Sequence, residues 1–116
     1  MLKTNTNIAK SYYQAMNDKD LNAVISYLHP EIKFTSPFGT KQGKDEVTEA
    51  VKGFLTIFNT LKVNEISEAE NYVMLTYTID CPQPIGTFRA AVLMYFDENL
   101  ISSIELFFNA SIFDKR

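Results

Sequence analysis

One cysteine, Cys81, and one histidine, His29, are all the thiol and imidazole chemistry the 116-residue chain offers. A lone cysteine cannot close a disulfide within the chain, and Cys81, at a strand end before "PQPIG", reads as a structural thiol. With no second histidine and no close set of Cys, His and acidic residues at ligand spacing, no metal site is expected. The four glycines form neither a phosphate loop nor a dinucleotide fingerprint, so no cofactor is expected either. Long apolar runs are missing too. The longest, "AAVLMYF" at residues 90–96, is far below the roughly 20 residues of a membrane-spanning helix. The opening "MLKTNTNIAK" has no apolar segment of about 7 to 15 residues, so the expectation is a cytoplasmic protein with no membrane partner. Positive charge is sparse: 11 Lys and Arg stand against 14 Asp and Glu, a net charge of −3. The nearest approach to a basic cluster, Lys41 and Lys44, lies beside Asp45 and Glu46, which argues against nucleic acid as a partner.

Apolar residues, by contrast, are plentiful. With 46% hydrophobic and 22% charged residues, the chain has the composition of one globular domain spanning residues 1–116. Ile8, Tyr12, Ala15 and Met16 recur at helical spacing and predict a first helix from about Asn7 to Met16. Leu21, Val24, Ile25 and Leu28 predict a second, capped by Asp18 or Asp20 and stopped before Pro30, with His29 as the helix stop. "EIKFTS" alternates and predicts a short strand ended by Pro37 and Gly39, with "GTKQG" following as a loop. A third helix carries Val47, Ala50, Val51, Phe54, Leu55 and Phe58. From residue 61 the period changes to two, and "LKVNEISE", "YVMLTYTIDC", "GTFRAAVLMYF" and "NLISSIELFFN" predict four successive antiparallel strands.

The expected class is therefore α+β, with three helices on one face of a curved antiparallel sheet. Strands such as "AAVLMYF" are apolar on both faces, while the helices can cover only one. A homodimer through the other sheet face is the expected remedy. Asp80 and Arg89 flank the "CPQPIG" turn and could pair across it.

The order of elements and three stretches, "SYYQAMNDKDLNAVISYLHPEIKFTSPFG", "GKDEV" and "MYFDENLISSIELFFNASIF", resemble the nuclear transport factor 2-like superfamily, which includes ketosteroid isomerases and SnoaL-like polyketide cyclases. The resemblance covers nearly the whole chain. It implies a cone-shaped fold around one apolar pocket and a small apolar or aromatic molecule as partner. Against the ketosteroid isomerases, Tyr12 matches the tyrosine that donates to a developing oxyanion, ahead of "AMNDKDL". Ser36, before Pro37, stands where those enzymes carry their aspartate base, and a serine cannot take a carbon acid's proton unaided. Val92 stands where they carry a protonated aspartic acid, so that chemistry is not expected.

Carrying the same register onto the last strand points Ser103, Glu105 and Phe107 inward. Glu105 then becomes the one acid of the pocket, unless it pairs with Arg89 or a bulge turns it to solvent. The implied pocket lining is Tyr12, Phe34, Ser36, Phe54, Tyr77, Val92, Glu105 and Phe107. Three functions stay open: a small-molecule-binding domain; an isomerase or cyclase using Glu105 as acid and base with Tyr12 as oxyanion donor; and a dimeric assembly module whose cavity is filled by phenylalanine.

Overall fold

In the computed structural model, which describes residues 4–111, the first helix α1 (Asn5–Asn17) begins where Thr4 accepts a hydrogen bond from the Asn7 amide at 3.1 Å. Two adjoining stripes of α1, Ile8, Tyr12 and Ala15 beside Ala9, Tyr13 and Met16, are buried. Asp20 caps the short helix α2 (Leu21–Ser26), accepting from the Ala23 amide at 3.1 Å.

The chain leaves α2 earlier than its apolar spacing predicts, because Leu28 is already the first residue of a strand, β1 (Leu28–Ser36). His29 is consequently not a helix stop. It lies on β1, where its Nδ1 accepts from the Glu31 amide at 3.0 Å and its Nε2 stands 3.3 Å from Asp97 Oδ2. Pro30 is tolerated within β1 because the ladder is interrupted there by a register shift between Leu28 and Lys33.

"GTKQ", read as loop, is a fully exposed edge strand, β2 (Gly39–Gln42), that pairs back onto β1. Its polar residues give no alternation of burial from which a strand could be read. Helix α3 (Lys44–Phe54) ends before Phe58. There the Lys19 ammonium donates to the carbonyls of Leu55, at 2.9 Å, and Phe58, and lies 3.4 Å from the centre of the Phe58 ring. A cation thus satisfies carbonyls that follow α3 and ties the α1–α2 corner to them.

The remaining strands, β3 (Thr60–Glu68), β4 (Tyr72–Asp80), β5 (Thr87–Asp97) and β6 (Leu100–Phe107), form the expected antiparallel meander. The whole sheet runs β2-β1-β6-β5-β4-β3, with β1 parallel to β6 and every other pair antiparallel. Helix α1 packs on β3 and β4, and α3 on β1 and β2, so both helices lie on one face of an α+β sheet. Among the described residues, no helix is long and apolar enough to cross a membrane.

Residues opposite one another on a ladder share a face, and this decides what points into the core. Leu75 stands across from Val92, and Val92 from Leu106; Val73, Met94, Ile104 and Phe34 form the next inner row. The other face carries Met74, Leu93, Glu105 and Thr35 in one row, and Thr76, Ala91 and Phe107 in another. Glu105 and Phe107 therefore do not point into the core, contrary to the expectation from the resemblance.

A bulge is the cause. The β5–β6 hairpin turns on Glu98 and Asn99, whose φ angles of 52° and 65° suit a tight two-residue turn. Its first pairs are Asp97 with Leu100 and Phe96 with Ile101, but beyond them Tyr95 pairs with Ser103, so β6 carries one extra residue. Without that residue Glu105 would stand opposite the inward Val92; with it, Glu105 faces Leu93.

This placement predicts an inverted ranking of adjacent substitutions. Ile104→Ala should cost about 2 to 5 kcal/mol in urea unfolding, as large-to-small core changes do. Glu105→Ala should stay within about 0.5 kcal/mol of the parent. The opposite order would overturn the assignment of faces.

Candidate functional site

Three tyrosines gather where α1 crosses the sheet. Tyr12 and Tyr13 are neighbours on α1, with ring centres 4.9 Å apart in an edge-to-face arrangement, and Tyr13 lies 5.2 Å from Tyr77 of β4. The helix positions are about 100° apart, which suggests that one ring would be excluded. Instead both are buried, at 2% and 5% exposure, and Tyr77 is at 3%. Small residues make the room: Tyr77 stands across from Ala90, and α1 contributes Ala9 and Ala15.

No group among the described residues forms a hydrogen bond with any of the three hydroxyls. Burial pushes the phenols of Tyr12, Tyr13 and Tyr77 well above the usual tyrosine range. For Tyr13 and Tyr77 the neighbouring phenols add to the effect. Each is thus held protonated at neutral pH, as a neutral donor.

The residues expected to line one pocket separate into two groups. Tyr12, Tyr77 and Val92 are buried on the inner face, and Phe34 and Phe54 pack half-buried against the same core. The Phe54 ring lies 5.0 Å from Phe58. Ser36 is occupied elsewhere: its hydroxyl accepts from the Phe38 amide at 3.1 Å and shapes the β1–β2 turn. Glu105 and Phe107 lie on the opposite face, Phe107 at 54% exposure, and the sheet stands between Glu105 and Tyr12. The two residues expected to act together as acid and oxyanion donor are not brought together.

Ile104 and Leu106 take the inner places assigned to Glu105 and Phe107. The signal that could have found them is "ISSI": two isoleucines three apart cannot share one face of a strictly alternating strand, so placing both on the inner face takes a bulge. Tyr13 was missed for the opposite reason, because angular spacing on a helix counts directions and not the room offered by facing alanines.

Where β1 and β6 end and β5 begins, further aromatic rings collect. Phe108 lies 5.5 Å from Phe38 and 5.7 Å from Phe88, the latter on the inner face opposite Ile79. Asp80 does not pair with Arg89; it accepts from Thr87 Oγ1 at 2.9 Å and Asn59 Nδ2 at 3.3 Å, while Arg89 stands across from Thr78. No charged side chain is buried among the described residues, and no group of three or more His, Cys, Asp or Glu there could hold a metal ion. The inner face is therefore an apolar core that carries neutral phenol donors, and it presents no buried carboxylate to move a proton.

Residues 9–104 match the family of SnoaL-like domains. No curated protein matches the sequence. Solved structures similar in fold include a protein from Kribbella flavida, with a TM-score of 0.88 at 18% identity over 94% of this chain and 89% of that one. An NTF2-like protein of unknown function from Cytophaga hutchinsonii aligns with a TM-score of 0.86 at 19% identity, over 99% and 98% of the two chains. TerC, co-crystallised with polyporic acid, aligns with a TM-score of 0.81 at 18% identity, over 96% and 95%. The family match spans most of the sequence, and the six-stranded sheet with its helices agrees with these neighbours: the chain belongs to the SnoaL-like domain family, within the NTF2-like fold.

Proposed function

We propose that this chain is a small-molecule-binding SnoaL-like domain whose ligand is an apolar or aromatic molecule bearing an acceptor oxygen. The observation that carries this reading is the pair of inner-face phenols, Tyr12 and Tyr77, buried and held protonated without a protein partner. Among the described residues only Thr76 Oγ1 is fully enclosed without a partner, so these phenol hydroxyls still reach solvent and are free to donate to an acceptor on a ligand. Phe34, Phe54 and Val92 supply the apolar surroundings. The co-crystallisation of TerC with polyporic acid supports a small organic molecule as the ligand class for this fold. Catalysis by Glu105 with Tyr12 is disfavoured, because the sheet separates them.

The outer face supports a second copy of the chain as partner. Met74, at 52% exposure, and Phe107 stand in rows with Leu93, Ala91 and Thr76. Thr76 Oγ1 is enclosed there without a hydrogen-bond partner. A two-fold contact would bury these rows against themselves.

For the ligand site, 1-tetralone and its hydrocarbon counterpart tetralin serve as probes. Tyr12→Phe and Tyr77→Phe should each weaken 1-tetralone binding by about 2- to 10-fold, the worth of one hydrogen bond. Tetralin binding should be unchanged; equal losses for both probes would remove the phenols from recognition.

Alkaline pH gives an independent measurement. In an unfolded chain tyrosine ionises near pH 10, whereas these buried phenols keep their protons to higher pH. Above about pH 10 the unfolded state then binds fewer protons, so the stability these groups confer is full below that pH and lost as pH rises. Urea unfolding of the parent should show this decline, and the Tyr12→Phe/Tyr77→Phe double variant should show a slope shallower by up to about 1.4 kcal/mol per pH unit for each tyrosine removed. For the outer face, sedimentation velocity should find a dimer in the parent and a monomer in Leu93→Glu. A parent that is monomeric at micromolar concentration would refute the dimer.

A further inference from the structure

Along its flank away from α3, helix α1 borders the edge strand β3 across an open groove of about 710 Å³. Both ends of the groove are laced shut by hydrogen bonds. At one end the Thr6 amide donates to Glu68 Oε1 at 3.0 Å, and at the other the Leu61 amide donates to Asn17 Oδ1 at 2.9 Å. Between these ties α1 runs for about 16 Å at 1.5 Å per residue. In the same interval β3 carries a bulge between Val63 and Glu65, which bends the strand and breaks its close pairing.

The chemistry of the groove is unlike that of the protein as a whole. In a chain of net charge −3, the groove is lined by two lysines, Lys10 and Lys62, and by no carboxylate. Of the nearby acids, Asp18 accepts from Gln14 Nε2 at 3.0 Å and Glu68 from Thr6, while Glu65 stands across from Thr76, on the opposite face of the sheet. Asn17 spends its oxygen on the Leu61 amide, so its Nδ2 has no protein partner among the described residues. Tyr13, nine-tenths buried or more, lines the groove and has a hydroxyl without a partner there. Leu61, Val63 and Ile66 provide apolar surface between these donors. Two cations, an amide donor and a phenol beside an apolar trough call for an anion with an extended apolar body.

We propose that the α1–β3 groove is a second binding site, distinct from the inner face, that takes a carboxylate on a linear apolar chain. Lys10 and Lys62 hold the carboxylate, Asn17 and Tyr13 donate to it, and Leu61, Val63 and Ile66 receive the chain. A body of roughly ten carbons is shorter than the interval between the two lacing bonds and fits within it.

The test uses the whole chain with decanoate and decanol as probes, followed by amide chemical shifts and calorimetry. Decanoate should shift the amides of residues 10–17 and 61–66 and bind at least about 10-fold more tightly than decanol, since the charge-assisted bonds are absent from the alcohol. Lys10→Glu/Lys62→Glu should weaken decanoate by about 10-fold or more, and Tyr13→Phe by a few-fold, with the circular dichroism of the parent retained. Both lysines are exposed, so loss of fold is not the expected route to lost binding. Equal binding of decanol, an unchanged affinity in the double lysine variant, or the absence of any shift would each overturn the proposal. Shifts confined to Val92, Met94 and Ile104 would place decanoate on the inner face and likewise overturn it. Because 1-tetralone reports on the inner face and decanoate on the groove, either site can fail without the other.

Discussion

Ile101 and Ile104 are both buried on β6 although they lie three residues apart, and the sheet accommodates them only by carrying an extra residue between them. β6 is the strand through which the halves of the sheet meet, since β1 and β2 attach on one side of it and β5 to β3 on the other. Its register therefore sets which residues face the helices across the middle of the sheet. Ile104 joins Met94, Val73 and Phe34 in an inner row, and Leu106 joins Val92 and Leu75. The same shift carries Glu105 and Phe107 to the outer face.

That single displacement changes the chemistry the domain can perform. An inward glutamate near Tyr12 would have been a desolvated acid beside an oxyanion donor, a familiar arrangement for moving protons. What the inner face presents instead is donors alone: phenols whose proton affinity burial increases, among aromatic and aliphatic side chains. Such a surface suits an acceptor oxygen on an apolar body, which is the ligand class proposed above. It also explains how one fold serves binding and catalysis alike, because moving one acid across a sheet separates the two.

Polar bonds at the ends of elements hold the apolar layers in place. Lys19 joins the α1–α2 corner to the carbonyls that follow α3, and Asn17 and Thr6 fasten α1 to β3. These ties orient α1 so that its tyrosines lie over β4 while its other flank borders a groove. The helix thus contributes to two surfaces of different character, one neutral and enclosed, the other open and cationic.

Much of this was legible in the residues themselves. Hydrophobic periods of 3.6 and 2 are local consequences of burying one face, so the three helices, the four-strand meander and the α+β class follow from the order of apolar residues alone. The polar edge strand at "GTKQ" was hidden because an exposed strand needs no apolar alternation, and the early end of α2 because a β1–β6 ladder outcompetes one more helical turn. Tyr12, Tyr77 and Val92 lie on the inner face, each on an uninterrupted stretch of its element. Glu105 and Phe107 lay beyond a bulge, and which strand absorbs an extra residue depends on the partner strand and the helix packed above it. Sequence alone determined the three helices, the four-strand meander and the lack of an aspartate at Ser36 and Val92. Only tertiary structure decided the face of every residue past Ser102, because a register is a property of two strands and not of one.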